Sequence, residues 1–160
     1  MSEPVTPASE AGPWLDEGLG NVLFDVWLVS RATTALLDEV VGPAGLDADE
    51  FAVYSVLASG DGMTPTELAH WMAAPPTTVS SYVKRFEGRG HVRRVARSDD
   101  RRSYRLQLTA AGRRAHRRAG ELFRPVLERV AGEVGNGLPD THRRLLALHR
   151  AVVAVDPDRP

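Results

Sequence analysis

The chain has 160 residues, 42% hydrophobic and none of them cysteine, so it is the size of one domain and forms no disulfide, thiolate nucleophile or sulfur-bound zinc site. Its net charge of −1 hides an asymmetry: residues 84–118 hold thirteen Lys or Arg against three acids, whereas residues 1–83 hold one Arg against twelve acids. No apolar stretch approaches the roughly 18 residues of a membrane span, and the amino terminus lacks a signal-peptide pattern, so we expect a cytoplasmic protein with no membrane partner.

The first predicted elements are an arm and two helices. Residues 1–13 are rich in proline and small polar residues and show no periodicity, which predicts a disordered arm. Apolar residues recur every three or four positions from 14 to 41 and predict a helix that ends before Gly42. Asp47 followed by Glu50 matches a capping box and predicts the start of a second helix.

Two further helices follow, joined by a tight turn. Thr64, Pro65 and Glu67 match a second capping box with proline at the first helical position, which predicts a short helix. After a turn at residues 73–74, a helix is predicted over residues 77–87. This order of elements is typical of a helix-turn-helix.

The remaining elements are a hairpin and two helices. Apolar and polar residues alternate between 92 and 108 on both sides of a polar turn, which predicts a β-hairpin. Thr109 is the expected cap of a helix that runs to about residue 132, and Pro125 is expected to kink it or mark its boundary. The last helix is predicted over residues 138–153. The predicted fold class is therefore mainly α with a small β-hairpin (α+β).

The helix at residues 77–87 has two unlike faces. A helical projection places Val79, Val83 and Phe86 on one side and short polar residues on the other. Such a polar face can enter a major groove and reach base edges and phosphates, although an ordinary surface helix would also have a solvated polar side. The residues of this segment that we predict to contact duplex DNA are Pro76, Thr77, Thr78, Ser80, Ser81, Lys84 and Arg85.

The predicted hairpin carries arginines around its turn. Arg97 precedes the turn, and Arg101 and Arg102 follow it. An arginine at a hairpin tip can enter the narrow, electronegative minor groove beside the helix. Asp100 either braces Arg102 or simply closes the turn. We predict that these four residues contact DNA or support the contact.

Taken together, these motifs resemble the winged helix-turn-helix of the MarR family of bacterial transcription regulators, from about residue 62 to 118. The matching segments are Thr64-Pro65-Thr66-Glu67-Leu68-Ala69, Thr78-Val79-Ser80, Arg85-Phe86-Glu87-Gly88-Arg89-Gly90, Arg93-Arg94, Asp99-Asp100-Arg101-Arg102 and Leu108-Thr109-Ala110-Ala111-Gly112. Three positions depart from the family's usual pattern. Ala73 replaces a glycine, Pro75 replaces a Ser or Asp cap, and Ser81 replaces a basic residue.

The resemblance implies a domain organisation and a function. Residues 63–108 would form the winged helix-turn-helix domain, and residues 14–62 with 109–155 would form a helical dimerisation region. The implied function is that of a homodimeric, sequence-specific DNA-binding regulator, with a pseudo-palindromic operator and most often a repressor role released by a ligand. The alternative is a winged-helix protein-interaction module whose basic hairpin meets an acidic partner without specific DNA binding.

The resemblance also implies a pocket for a small aromatic or anionic effector, between the dimerisation helices and the winged domain. Our candidates for its lining are Phe24, Trp27, Arg31 and Tyr54. The alternatives are that the aromatic residues belong to the core and that Arg31 bonds a nearby acid, Asp38 or Glu39. No Gly-rich phosphate loop, nucleophile elbow, carboxylate pair or histidine pair at i, i+4 is present, so we expect no enzyme activity, cofactor, catalytic residue or metal site.

Overall fold

The computed structural model describes residues 21–96 and 104–155. In this part of the chain, six α-helices accompany one two-stranded antiparallel sheet, which confirms the predicted fold class. The helices are α1 (Val22–Val41), α2 (Ala48–Ala58), α3 (Pro65–Met72), α4 (Pro76–Gly88), α5 (Ala110–Val134) and α6 (Leu138–Ala154), and the strands are β1 (Val92–Ala96) and β2 (Tyr104–Leu108). Short 3-10 turns follow α1 at Gly42–Ala44 and α5 at Gly135–Gly137.

Both predicted capping boxes are confirmed. The Asp47 carboxylate accepts from the Glu50 N–H at 2.7 Å, and the Glu50 carboxylate accepts from the Asp47 N–H at 3.1 Å. Thr64 and Glu67 exchange the same pair of bonds at the start of α3. Each box satisfies N–H groups that the first turn of a helix leaves without an intrahelical partner, and a cap of this kind contributes about 1 kcal/mol.

The helix predicted from residue 14 to 41 is not continuous through Asn21, and α1 begins at Val22. Asn21 has an extended backbone, and its side chain caps α1 by accepting from the Leu23 N–H at 3.0 Å. Asparagine is a preferred cap, which explains why α1 begins at this point. Residues 14–20 and the predicted arm at residues 1–13 lie outside the described residues.

The predicted turn between α3 and α4 is also confirmed. Ala73 adopts the left-handed conformation with φ of 48°, and it is the only non-glycine residue with positive φ in the described ranges. The Ala74 N–H donates to the Ala69 carbonyl at 3.0 Å and thereby closes the end of α3. The sharp turn brings the start of α4 close to the end of α3.

The hairpin pairs Val92 with Leu108 and Ala96 with Tyr104. Val92, Leu106 and Leu108 are buried beneath it, as the alternation predicted. Met63 adds a short bridge to Leu106 on the outer edge of β2. The sheet therefore ties the loop before α3 to the strand that leads into α5.

A single core joins these elements. Tyr54 from α2, Leu68 from α3 and Phe86 from α4 are fully buried in it, together with residues of both strands and of α5. Gly112 permits the close approach of α5, because a Cβ at this position would lie 2.1 Å from the His91 carbonyl oxygen. The start of α5 is thus held firmly against the end of the helix-turn-helix.

The long helix α5 continues through Pro125 and ends at Val134, so the proline does not mark a helix boundary. A proline inside a helix removes one backbone hydrogen bond, and the neighbouring turns sustain the helix here. The predicted last helix is confirmed over nearly the same residues as α6. Within the described part of the chain, no helix is both long enough and apolar enough to cross a bilayer.

Candidate nucleic-acid interface

The two predicted faces of α4 are present in the structure. Val79, Val83 and Phe86 are buried against the core, and Tyr82 is half-buried beside them. Lys84 is exposed on the opposite side and makes no ion pair with any described residue. Also exposed are the predicted contact residues Pro76, Thr77, Thr78, Ser80 and Ser81. The structure therefore places six of the seven predicted α4 residues on one outward polar surface.

The start of α4 presents donors to the solvent. Pro75 precedes the helix without a side-chain cap, and Pro76 at the first position has no N–H to satisfy. The N–H groups of Thr78 and Val79 both bond the Pro75 carbonyl, whereas the Thr77 N–H bonds no described backbone carbonyl. Ser81 uses its hydroxyl on the Thr77 carbonyl at 3.1 Å. A phosphate oxygen could accept from the Thr77 N–H at this positive end of the helix dipole.

Arg85, the seventh predicted residue, has a different environment. Its guanidinium lies over the Tyr82 ring, 4.8 Å from the centroid, with Nε 3.0 Å from Glu50 Oε1 and Nη2 3.6 Å from Asp47 Oδ2. These contacts hold the side chain against α2. Arg85 is therefore engaged with α2 and Tyr82, and its contact with DNA stays a prediction.

One flank of α4 rests on the first turn of α2. The Arg89 Nη1 donates to Glu50 Oε2 at 3.0 Å, and the Tyr82 hydroxyl donates to Asp49 Oδ2 at 2.7 Å. This hydrogen bond to Asp49 is the main cause that raises the pKa of Tyr82 to about 12, with burial adding to it. Tyr82 is therefore a neutral donor at any physiological pH.

The other flank of α4 is tied to the hairpin. Arg94 forms a two-pronged ion pair with Glu87, with Nε 2.8 Å from Oε1 and Nη2 2.9 Å from Oε2. The same guanidinium lies 4.7 Å from the centre of the Tyr104 ring. A paired, stacked arginine of this kind holds a fixed geometry better than a single contact does. The outward face of α4 is thus framed by ion pairs on both sides.

The predicted hairpin contacts Arg97, Asp100, Arg101 and Arg102 lie between Ala96 and Tyr104, outside the described residues. The described part of the basic segment adds four exposed arginines on the first turns of α5. These are Arg113, Arg114, Arg117 and Arg118. They form no ion pair with described residues, so their charges add to the positive field of the basic segment.

The four candidate pocket residues do not share one environment. Phe24 and Trp27 are exposed on α1 with their ring centres 5.5 Å apart. Tyr54 is fully buried, its ring packs against Phe86, and its hydroxyl lies 3.1 Å from His91 Nδ1. Tyr54 is therefore part of the core in this structure, which was the alternative that the sequence left open.

Arg31 is exposed on α1 and bonds no described residue, and Asp38 instead accepts from the Ala48 N–H at 2.8 Å. A groove of about 480 Å³ lies between α1 and α6. Its lining is mainly apolar and includes none of the four candidates; it consists of Val22, Asp25, Val26, Val29, Thr141, Arg144, Leu145 and Leu148. The position of an effector pocket stays a prediction.

Two histidines outside the predicted site residues contact α2: His116 from α5 and His91 from the loop before β1. His116 Nε2 is 3.0 Å from the Ser55 hydroxyl, and its ring packs on Phe51. Burial lowers the pKa of His116, and the charge on Arg117 lowers it further. Burial also lowers the pKa of His91, with Arg89 as the next cause. Among the described residues, no cluster of histidine and carboxylate side chains could hold a metal ion.

Comparison with known proteins agrees with this geometry. The model of the MarR family matches residues 47–104. The transcriptional repressor Rv2887 of Mycobacterium tuberculosis is 30% identical over 115 residues, which cover 72% of this chain and 81% of the relative. A repressor of Mycobacterium bovis, Mb2911, matches to the same extent.

Solved structures give the same result. The crystal structure of the regulator MosR of M. tuberculosis with DNA superposes with a TM-score of 0.73 at 28% identity, covering 85% of this chain and 98% of that one. The regulator BldR of Sulfolobus solfataricus shares the fold, with a TM-score of 0.70 at 20% identity over 88% of this chain and 98% of that one. The chain belongs to the MarR family of winged helix-turn-helix transcription regulators, which confirms the predictions that it is a DNA-binding regulator and not an enzyme.

Proposed function

We propose that the protein is a homodimeric repressor that binds a pseudo-palindromic operator in double-stranded DNA. The observation that carries this proposal is the outward polar face of α4, which is unobstructed and framed by ion pairs on both flanks. A helix held in this way can enter a major groove as a rigid unit. Two copies related by a two-fold axis would then contact half-sites about 10 base pairs apart.

In this proposal α4 contacts bases and the hairpin contacts the backbone. Thr78, Ser81 and Lys84 are short or flexible polar side chains at the centre and edge of the exposed face, where base edges would lie. Thr77 and Ser80 are placed for phosphates, and Pro76 packs against the sugar-phosphate chain. Arg97, Arg101 and Arg102, with Asp100 as a brace, would enter the adjacent minor groove.

The dimer is proposed from the apolar surface of the flanking helices. In a single chain these helices expose more large apolar side chains than a stable monomer does, including Val22, Leu23, Trp27, Val29, Leu122, Leu127, Val130, Val134, Leu145, Leu146 and Val152. Residues 14–62 and 109–155 would form the dimerisation region, and residues 63–108 the DNA-binding domain. We place the protein in the cytoplasm, where its operator would be.

The repressor role and the response to an effector come from similarity. The relatives in Mycobacterium carry the name of repressor. A small aromatic or anionic effector would release DNA by binding better to a dimer shape that misplaces the two α4 helices. Aromatic acids can be screened for displacement of operator DNA and then tested on Arg31→Ala. Displacement that survives this substitution unchanged would remove Arg31 from the proposed pocket.

Selection from random duplexes, followed by salt titration, tests the DNA-binding proposal. We expect a preferred palindromic sequence and affinity that falls steeply with salt, because Lys and Arg release counterions from phosphates. Arg101→Ala and Arg102→Ala should weaken binding to most duplexes and lower the salt slope by about one unit for each lost phosphate contact. Wild-type affinity in both variants, alone and combined, would instead favour the protein-interaction module.

A further inference from the structure

We propose that Glu50 is a positioning residue, which sets the angle at which α4 presents its polar face to the operator. The inference rests on the proposed function, because it assumes that α4 is the element that contacts bases. Among the described residues, Glu50 is the only charged side chain that is fully buried, with 1% of its surface exposed. Burying a carboxylate is costly unless it is paired.

Two arginines at the end of α4 pair with this one carboxylate: Arg85 in the last turn and Arg89 at the C-cap. Oε1 of Glu50 lies 3.0 Å from Arg85 Nε, and Oε2 lies 3.0 Å from Arg89 Nη1. The arginines are four positions apart, so they occupy neighbouring turns on the same side of α4. Anchoring a helix at two points along one side resists both rotation about its axis and sliding along it.

Further contacts of α2 hold Glu50 itself in place. Its Oε2 also accepts from the Asp47 N–H at 3.1 Å as part of the capping box. One residue further on, the Ala48 N–H donates to Asp38 Oδ1 of α1 at 2.8 Å. The carboxylate is therefore connected through α2 to the helix α1, which is part of the proposed dimerisation region. These contacts fix the orientation of α4 relative to α1, and hence relative to the proposed dimer.

The apolar contacts of α4 would not set this orientation by themselves. Val79, Val83 and Phe86 provide burial, but the hydrophobic effect is non-directional and tolerates small rotations of a helix. The hydrogen bond from Arg89 to Glu50 Oε2 depends strongly on direction. Arg85 adds an ion pair at Oε1, a buried oxygen that accepts no hydrogen bond from the described residues. A buried ion pair adds little net stability compared with apolar packing, so its value here lies in geometry.

Glu50 also keeps two positive charges away from the DNA-facing surface. Arg85 and Arg89 are each partly exposed, and their guanidinium groups turn towards the carboxylate. Without the carboxylate, Arg85 keeps its contacts with Asp47 and the Tyr82 ring, and Arg89 keeps its bond to the Gly45 carbonyl. Both side chains would then be held less tightly and could reach phosphates of any sequence more readily. Loss of Glu50 should then weaken operator binding and at the same time strengthen non-specific binding.

The test compares Glu50→Gln with Asp61→Asn, which removes the same charge from an exposed loop of the same domain. Affinities are measured for a selected operator and a scrambled duplex, at a temperature where melting curves show each variant fully folded. For Glu50→Gln we expect operator binding to weaken by roughly three- to thirtyfold, while scrambled DNA binds equally or more tightly. Asp61→Asn should bind both duplexes equally or slightly more tightly. An unchanged operator affinity in Glu50→Gln, or an equal loss for both duplexes, overturns the proposal.

A second pair of variants keeps the proposal testable if Glu50→Gln does not fold. Arg89→Gln leaves the carboxylate paired with Arg85, and Arg89→Lys retains a charged partner. We expect Arg89→Gln to lower the ratio of operator to scrambled affinity and Arg89→Lys to restore most of it. Equal ratios in the two variants overturn the positioning role. In the double variant with Glu50→Gln, the loss should be smaller than the sum of the single losses.

Thr78→Ala separates this inference from the proposed function. If Thr78→Ala weakens operator binding while Glu50→Gln and Arg89→Gln leave it unchanged, α4 contacts DNA but Glu50 does not position it. If Thr78→Ala and Lys84→Ala both bind the operator as the wild type does, the proposed role of α4 fails, and the positioning role fails with it.

Discussion

Ala73 holds a backbone conformation that alanine seldom adopts. Its φ of 48° lies in the left-handed region, where the Cβ of an L-residue is crowded and the cost is roughly 1–2 kcal/mol. In the usual pattern of the MarR family, glycine stands at this position. The chain therefore retains the turn between α3 and α4 at the expense of some stability.

Ala73→Gly should stabilise the protein. Relief of the left-handed strain outweighs the extra backbone freedom that glycine has in the unfolded chain, so we expect a net gain of about 0.5–1 kcal/mol. Denaturant titration would show a higher midpoint with an unchanged slope. Ala74→Gly is the matched control, since Ala74 has no positive φ and packs against the core, and it should be destabilising. A lower midpoint for Ala73→Gly would show that the turn is not strained.

His116 should make the free energy of unfolding depend on pH in the mildly acidic range. The pKa of His116 is lowered in the folded state, so below its unfolded value of about 6.5 the unfolded chain binds more protons than the folded one. The contribution of neutral His116 to the free energy of unfolding is therefore present above about pH 6.5. It is lost as the pH falls towards the lower pKa of the folded state. His91 has the same sign and adds to the effect.

The measurement is the free energy of unfolding between pH 5 and 8 for the wild type and His116→Gln. We expect the variant to be less stable at pH 8, because the ring contact with Phe51 is lost, and to lose less stability than the wild type on acidification. Parallel curves for the two proteins would contradict a role of His116 in the pH dependence.

At the scale of elements, α4 should determine which sequence is preferred. Thr78→Ala and Ser81→Ala remove hydroxyl groups from the exposed face without touching the core, so they should change the ranking of operator variants by about 1–3 kcal/mol at a lost base contact. Competition between single-base operator variants measures this ranking. Arg118→Ala, on the exposed side of α5, is a control that should alter affinity for all variants together. A ranking identical to that of the wild type in both α4 variants would argue that α4 does not contact bases.

The elements themselves were well predicted because their signals are local. The two capping boxes span four residues each, the two faces of α4 follow from the helical period, and the hairpin follows from alternation. The main error in the helices came at residue 21, where a good cap outweighed the continuing apolar period. Pro125 also proved compatible with an unbroken α5.

The site was predicted less completely because its supporting contacts are not local. Glu50 and Arg85 lie on different helices, so no spacing rule connects them, and the sequence does not show that Arg85 contacts α2. Tyr54 shows the same difficulty. Its helical position fits either a pocket or the core, and only packing against Phe86 distinguishes the two. Local patterns indicate which residues face outward, whereas tertiary packing determines which of those are already engaged.

At the scale of the whole molecule, the two DNA-binding domains must be held at a fixed separation. The helices α1, α5 and α6 expose a broad apolar surface, and the groove between α1 and α6 is continuous with it. Burial of this surface between two copies would fix the separation of the α4 helices and hence the spacing of the half-sites. Dimerisation and operator recognition should therefore be lost together.

Leu145→Glu tests this connection, because Leu145 is 46% exposed in the single chain and lines the groove beside α1. An uncompensated carboxylate in a dimer interface costs about 3 kcal/mol or more, which should produce monomers at micromolar concentration in light scattering. Operator affinity should fall with it, while each monomer keeps weak, salt-sensitive binding to any duplex. Ala147→Glu adds the same charge two positions away, outside that groove, and should leave both the mass and the operator affinity near the wild type. If Leu145→Glu remains dimeric, the interface lies elsewhere on these helices. If it is monomeric but binds the operator at full strength, a single α4 suffices for recognition.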